Sequence, residues 1–368
     1  PTDIVLEGYT FKSGISADWA ESGHGDIAAE AWRHWDFDDP AEVPTSCAKC
    51  HAEDGFADWA DNGTVDAAAA PSMGLGCGGC HDGIPNTWYA NATPGDWLDQ
   101  IEFPSGDTAT LAGDDNICLA CHQGRSSGPD VMAADANDVI QDPDYDSYSF
   151  INIHYYAAAA SYFGNEVRGG YHYGSDENYV ARNTFPSHPD SLSTCVGCHM
   201  REDEGDHTWF PDLDRCLECH TGNNFTTLSG SPGANYTAIQ TALTELLAEI
   251  QDYAANTLGY PVIYDDHAYP YFFNDNGQGA NYGNKYDHFD SKLLAAAYNF
   301  QFGEKEPCGY LHNGTYMRQL LHDSILDLGG SPTDVPPGRM GYDDSGLSTY
   351  IKRTNEFHQS GHDAAGTD

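Results

Sequence analysis

Ten of the eleven cysteines in this 368-residue chain fall into five pairs, each with two residues between its members. The pairs are Cys47/Cys50, Cys77/Cys80, Cys118/Cys121, Cys195/Cys198 and Cys216/Cys219. A histidine follows each pair at once: His51, His81, His122, His199 and His220. Thiols and imidazoles at this spacing could hold zinc, form disulfides or run thiol–disulfide exchange. Zinc needs four ligands, which two pairs could supply, but it makes no demand on the residue after every pair. A redox dithiol would occur once, beside a strand–helix–strand pattern. Disulfides between cysteines three apart leave the histidines unexplained.

Cys-x-x-Cys-His meets a different requirement, the covalent attachment of a c-type haem. Two thiols add across the two vinyl groups of one porphyrin, and the next residue turns its imidazole to the iron. The sequence therefore predicts five haem c groups. The ten paired cysteines are the attachment points, and the five following histidines are the proximal iron ligands. Such haems are attached with reduced thiols on the outer side of the cytoplasmic membrane. The chain is thus expected to be exported, to the cell surface, the extracellular space or the periplasm. It opens at Pro1 with no leader, as expected of a processed product.

The second axial position of each iron decides between electron transfer and open-site chemistry. Twelve histidines lie outside the motifs and only five methionines exist, so bis-histidine ligation of every haem is possible and low potentials are expected. Distal candidates with supporting context are His24, His34, His154, His188, His207 and His312. His24 opens an Ala-rich stretch, read as helical, that ends at His34-Trp35. His154 lies in Asn-Ile-His-Tyr-Tyr-Ala-Ala-Ala-Ala, read as a helix over 151–163. His188 precedes Cys195 by seven residues. His207 falls between two motifs and is expected to serve a haem other than the one it precedes. His312 opens a helix over 312–328. His267 and His362 are weaker candidates. His172, His288, His322 and His358 are read as surface residues.

The elements that must position these residues are short and irregular near the motifs. Gly (39) and Pro (19) punctuate the chain, and all five motifs lie before residue 221. The fold class is mainly α with much irregular loop, the haems replacing part of the ordinary core. Residues 1–225 form the haem-bearing region. Residues 226–368 form a helical region that supplies packing and distal ligands. Helices are expected over 236–258, 291–302 and 312–328 from their apolar spacing and Gly stops. Asn274 to Gly279 faintly resembles a calcium loop but lacks its acidic pattern and terminal Glu, so calcium is a minor expectation. Sequons stand at Asn62, Asn91, Asn224, Asn235 and Asn313. Cys308 has no partner cysteine nearby and is read as a buried thiol, a single thioether or an intermolecular link.

A formal charge of −42, from 15 basic and 57 acidic residues, argues against nucleic acid or an anionic membrane as partner. No apolar run is long enough for a membrane span.

The five motifs place the chain by resemblance among multihaem c-type cytochromes. The order Ser-Gly-His, His-Trp, Cys-x-x-Cys-His, Asn-Ile-His-Tyr-Tyr-Ala-Ala-Ala-Ala, Tyr-Pro-Tyr-Phe-Phe and Leu-His-Asn-Gly-Thr-Tyr is similar to exported multihaem cytochromes of anaerobic bacteria and archaea. The resemblance spans most of residues 20–330 and implies distal roles for His24, His34, His154, His188, His207 and His312. Cys308 departs from the pattern. More loosely, the chain resembles extracellular cytochrome filaments, or nanowires, at the level of class. Three functions follow. The first is a polymerising extracellular electron conduit, with copies of itself and extracellular acceptors as partners. The second is a monomeric shuttle between redox proteins. The third is a redox enzyme with one open haem, although the Cys-x-x-Cys-Lys motif of pentahaem nitrite reductases does not occur. No catalytic residue is assigned. Because like-charged subunits repel less in salt, any self-assembly is expected to strengthen with ionic strength. Light scattering across a salt series checks this, and equal assembly in dilute buffer would refute it.

Overall fold

The computed structural model describes residues 4–6, 9–11, 13–71, 74–81, 96–111, 115–136, 148–185, 188, 193–200, 206–211, 213–220 and 233–338. His358, His362, Asn91 and Asn224 lie outside the described residues. In chain order the helices are α1 (Ser13–Glu21), α2 (Glu30–Arg33), α3 (Thr45–His51), α4 (Glu53–Asn62), α5 (Asp96–Asp99), α6 (Asp115–His122), α7 (Gly128–Ala136), α8 (Ala158–Phe163), α9 (Cys195–His199), α10 (Leu213–Cys219), α11 (Gly233–Asp252), α12 (Ser291–Lys305) and α13 (Gly309–Leu328). The strands form three antiparallel two-stranded hairpins: Ile4–Leu6 with Tyr9–Phe11, Ile101–Glu102 with Thr108–Ala109, and Val262–Tyr264 with Phe272–Asn274. The fold is mainly α with much loop between short elements.

The chain divides into two compact units that interleave in sequence. The first comprises residues 1–102, 108–121 and 184–226, and contains every paired cysteine. Its helices are short because its sequence rarely sustains an apolar stripe. Their packing is local: Gly55 on α4 approaches α3 so closely that a Cβ there would lie 2.5 Å from the Ala48 carbonyl oxygen. Val43, Ala48 and Ala52 form a small core with Trp35.

The second unit comprises residues 103–107, 122–183 and 227–368. Helices α11, α12 and α13 pack on one another, and α8 packs on α13. The expected helices over 236–258, 291–302 and 312–328 are present as α11 with a widened turn over Tyr253–Leu258, α12 and α13. Gly259 (φ 81) and Gly329 (φ 101) end two of them in the left-handed conformation that glycine adopts without steric cost. Leu243, Leu246, Ile250, Leu293, Tyr298, Phe302, Leu320 and Leu321 are buried between them. Asn313 breaks the helical dihedrals inside α13 (φ −161, ψ 73). Its buried amide donates to the Tyr162 and Ala181 carbonyls at 3.3 and 3.0 Å, so this sequon asparagine is spent on the fold.

Two helix readings and two surface assignments need correction. The helix expected over 151–163 begins only at Ala158. The Asn152 side chain accepts from the His154 amide at 3.0 Å, and His154 and Tyr156 have φ of 83 and 52, so the chain turns before the alanine run starts. The Ala-rich stretch after His24 is likewise mostly turn, with one helical turn in α2.

His172 and His322 are buried, not surface residues. His172 stacks on Tyr179 at 4.1 Å, and its two nitrogens bond Asp176 Oδ1 (2.7 Å) and the Tyr316 hydroxyl (2.8 Å). Both ring nitrogens are used in packing. Burial lowers its pKa below the usual histidine value, against the pull of Asp176. The folded chain therefore refuses a proton that the unfolded chain accepts. The resulting stability is fully present above the unfolded value, about 6.5, and is lost as pH falls through the lowered folded value. Denaturation midpoints should drop between pH 7 and pH 5, and drop less in His172→Gln.

Candidate haem-binding sites

In a helix, residues i, i+3 and i+4 share one face. Cys47, Cys50 and His51 in α3 have this spacing, as do Cys118, Cys121 and His122 in α6 and Cys195, Cys198 and His199 in α9. Helix α10 ends at Cys219, and the His220 amide still donates to the Cys216 carbonyl at 3.0 Å, which continues the same face. The second motif is a 3₁₀ turn over Cys77–Gly79 because Gly78 and Gly79 are poor helix formers. Even there the His81 amide donates to the Cys77 carbonyl at 2.9 Å, so the first cysteine and the histidine remain one turn apart.

Three motif histidines are tethered in the same way. His51 Nδ1 bonds the Ala31 carbonyl at 3.0 Å, His122 Nδ1 that of Tyr156 at 2.9 Å, and His199 Nδ1 that of Trp209 at 2.7 Å. A carbonyl can only accept, so Nδ1 carries the proton and Nε2 keeps its lone pair for a metal. Tyr156 and Trp209 hold φ of 52 and 56, unusual for residues with side chains. That backbone conformation aims their carbonyls at the imidazoles.

Two candidate distal histidines face motif histidines. The rings of His81 and His207 lie 6.5 Å apart, centre to centre, at 32°. Those of His188 and His220 lie 6.1 Å apart at 39°. A metal–imidazole bond of about 2 Å, with the ring centre about 1 Å behind the nitrogen, puts two trans imidazoles roughly 6 Å apart. The residues present therefore fit an iron between each pair.

Other candidates lie in varied settings. His24 is half-buried, with its ring edge-on to Trp209 at 4.7 Å. His34 is exposed and bonds Glu30 at 2.8 Å. Half-buried His154 lies on the irregular segment whose Tyr156 carbonyl tethers His122. His312 Nδ1 bonds buried Glu306 at 2.8 Å, which aims Nε2 outward in a carboxylate–histidine arrangement common around metals. His267 is exposed beside Asp265 and Asp266. In the Asn274–Gly279 loop, amides are turned inward: Asn274 donates to the Lys285 carbonyl at 3.0 Å and Asn276 to Asn284 Oδ1 at 2.8 Å.

Burial pushes the Cys80 thiol up to about 12 and raises Cys198 as well, so neither is a ready thiolate. A thioether has no proton to lose and escapes this cost. Burial also pushes up the half-buried Cys308 thiol, with Glu306 adding to the effect.

Sequence reasoning missed Ala31, Tyr156 and Trp209 because they act through backbone carbonyls, which carry no residue signature. It also missed Asp115. This buried carboxylate accepts from the Val196 amide at 2.7 Å, and Thr194 Oγ1 accepts from the Gly197 amide at 3.0 Å. Together they cap the first turn of α9. Burial raises the Asp115 pKa, partly offset by the bond from Val196.

The chain is 27% identical over 359 residues to the C-type polyheme cytochrome OmcB of Geobacter sulfurreducens, in two strains. It is 24% identical over 377 residues to OmcC, another C-type polyheme cytochrome of that species. The alignments cover 82% and 84% of this chain.

The chain is similar in sequence to multihaem c-type cytochromes.

The chain spans about half the length of these relatives, since each alignment covers 46% of theirs. No protein-family model matches it, and no solved structure does. Among the described residues, no helix is long and apolar enough to cross a membrane.

The tether on His199 makes a specific expectation. Trp209→Gly keeps the left-handed backbone at no steric cost, whereas Trp209→Pro forces a negative φ and turns the carbonyl away. With a haem iron on His199, losing the Nδ1 bond would make the imidazole a weaker donor to it. Potentiometric titration should show one haem shifted to higher potential in the Pro variant, and shifted less in the Gly variant.

Proposed function

We propose that this chain is a five-haem electron conduit in which bis-histidine irons pass electrons without substrate chemistry. The observation that carries the reading is the facing of His81 by His207 and of His220 by His188, at the spacing of axial pairs. A low-spin iron with both axial seats filled by protein has no place for a substrate and changes little on reduction. In this reading the ten paired cysteines attach the porphyrins, and His51, His81, His122, His199 and His220 are proximal ligands. His207 and His188 are the distal ligands of the second and fifth motifs' haems. His24, His34, His154 and His312 are the pool for the remaining three.

The conduit works outside the cytoplasm, where c-type haems are attached, and its acidic surface suits redox partners or acceptors reached through salt-screened contacts. Its assembled form is a filament of identical chains. Support for that form comes from the surplus of histidines and from Ser-Gly-His at both Ser22–His24 and Ser360–His362, which could ligate across subunits. A monomeric shuttle is the outcome if electron micrographs of native material show single particles only.

The ligand assignment is tested in the holoprotein. His207→Ala and His188→Ala should each convert one haem from low to high spin in the electron paramagnetic resonance spectrum. His172→Ala, which alters a buried histidine outside the haem sites, should leave the haem spectrum unchanged. Fully low-spin spectra for both His207→Ala and His188→Ala would refute the assignment.

A further inference from the structure

We infer that the haems are not arranged in chain order: those of the first, third, fourth and fifth motifs form a continuous line, and the second motif's haem sits on its flank. The inference rests on the haem reading above.

The first link is reciprocal. The Cys50 thiol donates to the Ala120 carbonyl at 3.8 Å, and the Cys121 thiol donates to the Lys49 carbonyl at 3.8 Å. Each acceptor is the residue just before the other's cysteine. Helices α3 and α6 thus meet reciprocally at their second cysteines. These cysteines are about 70 residues apart in sequence (|i−j| = 70 and 72 for the two bonds), with the second motif between them.

The second link joins the third motif to the fourth. Asp115 at the start of α6 accepts from the Val196 amide at 2.7 Å, between the first and second cysteines of the fourth motif. The third link joins the fourth motif to the fifth: the Trp209 carbonyl that holds His199 lies seven residues before Cys216, and His188, seven residues before Cys195, faces His220 at 6.1 Å. A thioether sulfur is one carbon away from the porphyrin rim. Attachment segments held this close bring two rims close together, the arrangement that fast electron exchange needs.

The second motif contacts this line from the side. Glu53, which follows α3, fills the space a Cβ would take at Gly76 and Gly78. Cys80 feels Cys118. His207, which faces His81, touches the Trp209 ring at 5.3 Å, while the Trp209 carbonyl holds His199. The second haem can exchange electrons with the line at its middle, yet an electron crossing from the first motif to the fifth need not visit it.

Iron positions in the holoprotein test this directly, by anomalous scattering from crystals or by electron cryo-microscopy. The expected result is five irons, with the His51 iron nearest to the His122 iron and the His220 iron nearest to the His199 iron. If the His51 iron is instead nearest to the His81 iron, the proposed order is overturned while the haem reading stands. If no covalently attached iron is present, both are overturned.

Discussion

The arrangement depends on one constraint: an imidazole offers a metal one nitrogen's lone pair while the other carries the proton, and a fixed acceptor for that proton sets the tautomer and the ring's direction. Three motif histidines commit Nδ1 to backbone carbonyls, of Ala31, Tyr156 and Trp209. A short helix can set the direction of Cα–Cβ, but the ring still rotates about it. The carbonyl stops that rotation. In these three motifs the acceptor comes from another segment, 10 residues away for His199, 20 for His51 and 34 for His122. Two of these acceptors come from residues with positive φ, a backbone cost that the surrounding contacts must offset.

This explains the unequal texture of the two units. In the first, the described helices are at most ten residues long and their ends are used as much as their faces. Asp115 begins the third motif's helix and caps the fourth's, so one buried carboxylate ties two attachment segments together. In the second unit three long helices bury an ordinary aliphatic and aromatic core. Their polar residues lock loops in place: buried Asn299 receives the Tyr171 amide at 2.8 Å and donates to its carbonyl at 3.0 Å, and Tyr298 donates to Gly169 at 2.8 Å. These bonds fix the segment that leads from the His154 region to Tyr179.

The charge sets limits of another kind. A chain with 57 acidic and 15 basic residues gains little from surface ion pairs. The partly buried bidentate pairs Arg182–Glu166 and Arg318–Asp334 use scarce cations inside the second unit. Haem propionates would add further negative charge. Association between copies must then come from ligation, apolar contact or screening, not from attraction between surfaces.

The proposed chemistry was legible in the sequence alone. Five repeats of one spacing, each with histidine next, point to attachment points and proximal ligands because covalent chemistry demands residue type and interval, both of which sequence displays. The long helices of the second unit were also legible, since apolar period and glycine stops are local signals. What only the tertiary structure decided is which histidine faces which. His207 lies 13 residues before His220 in the chain yet faces His81, and His188 faces His220 across an intervening motif. His172 has the residue type of a ligand, but both its nitrogens are used in packing. The carbonyl tethers were invisible in sequence because every residue has a carbonyl, and the fold alone decides where it points.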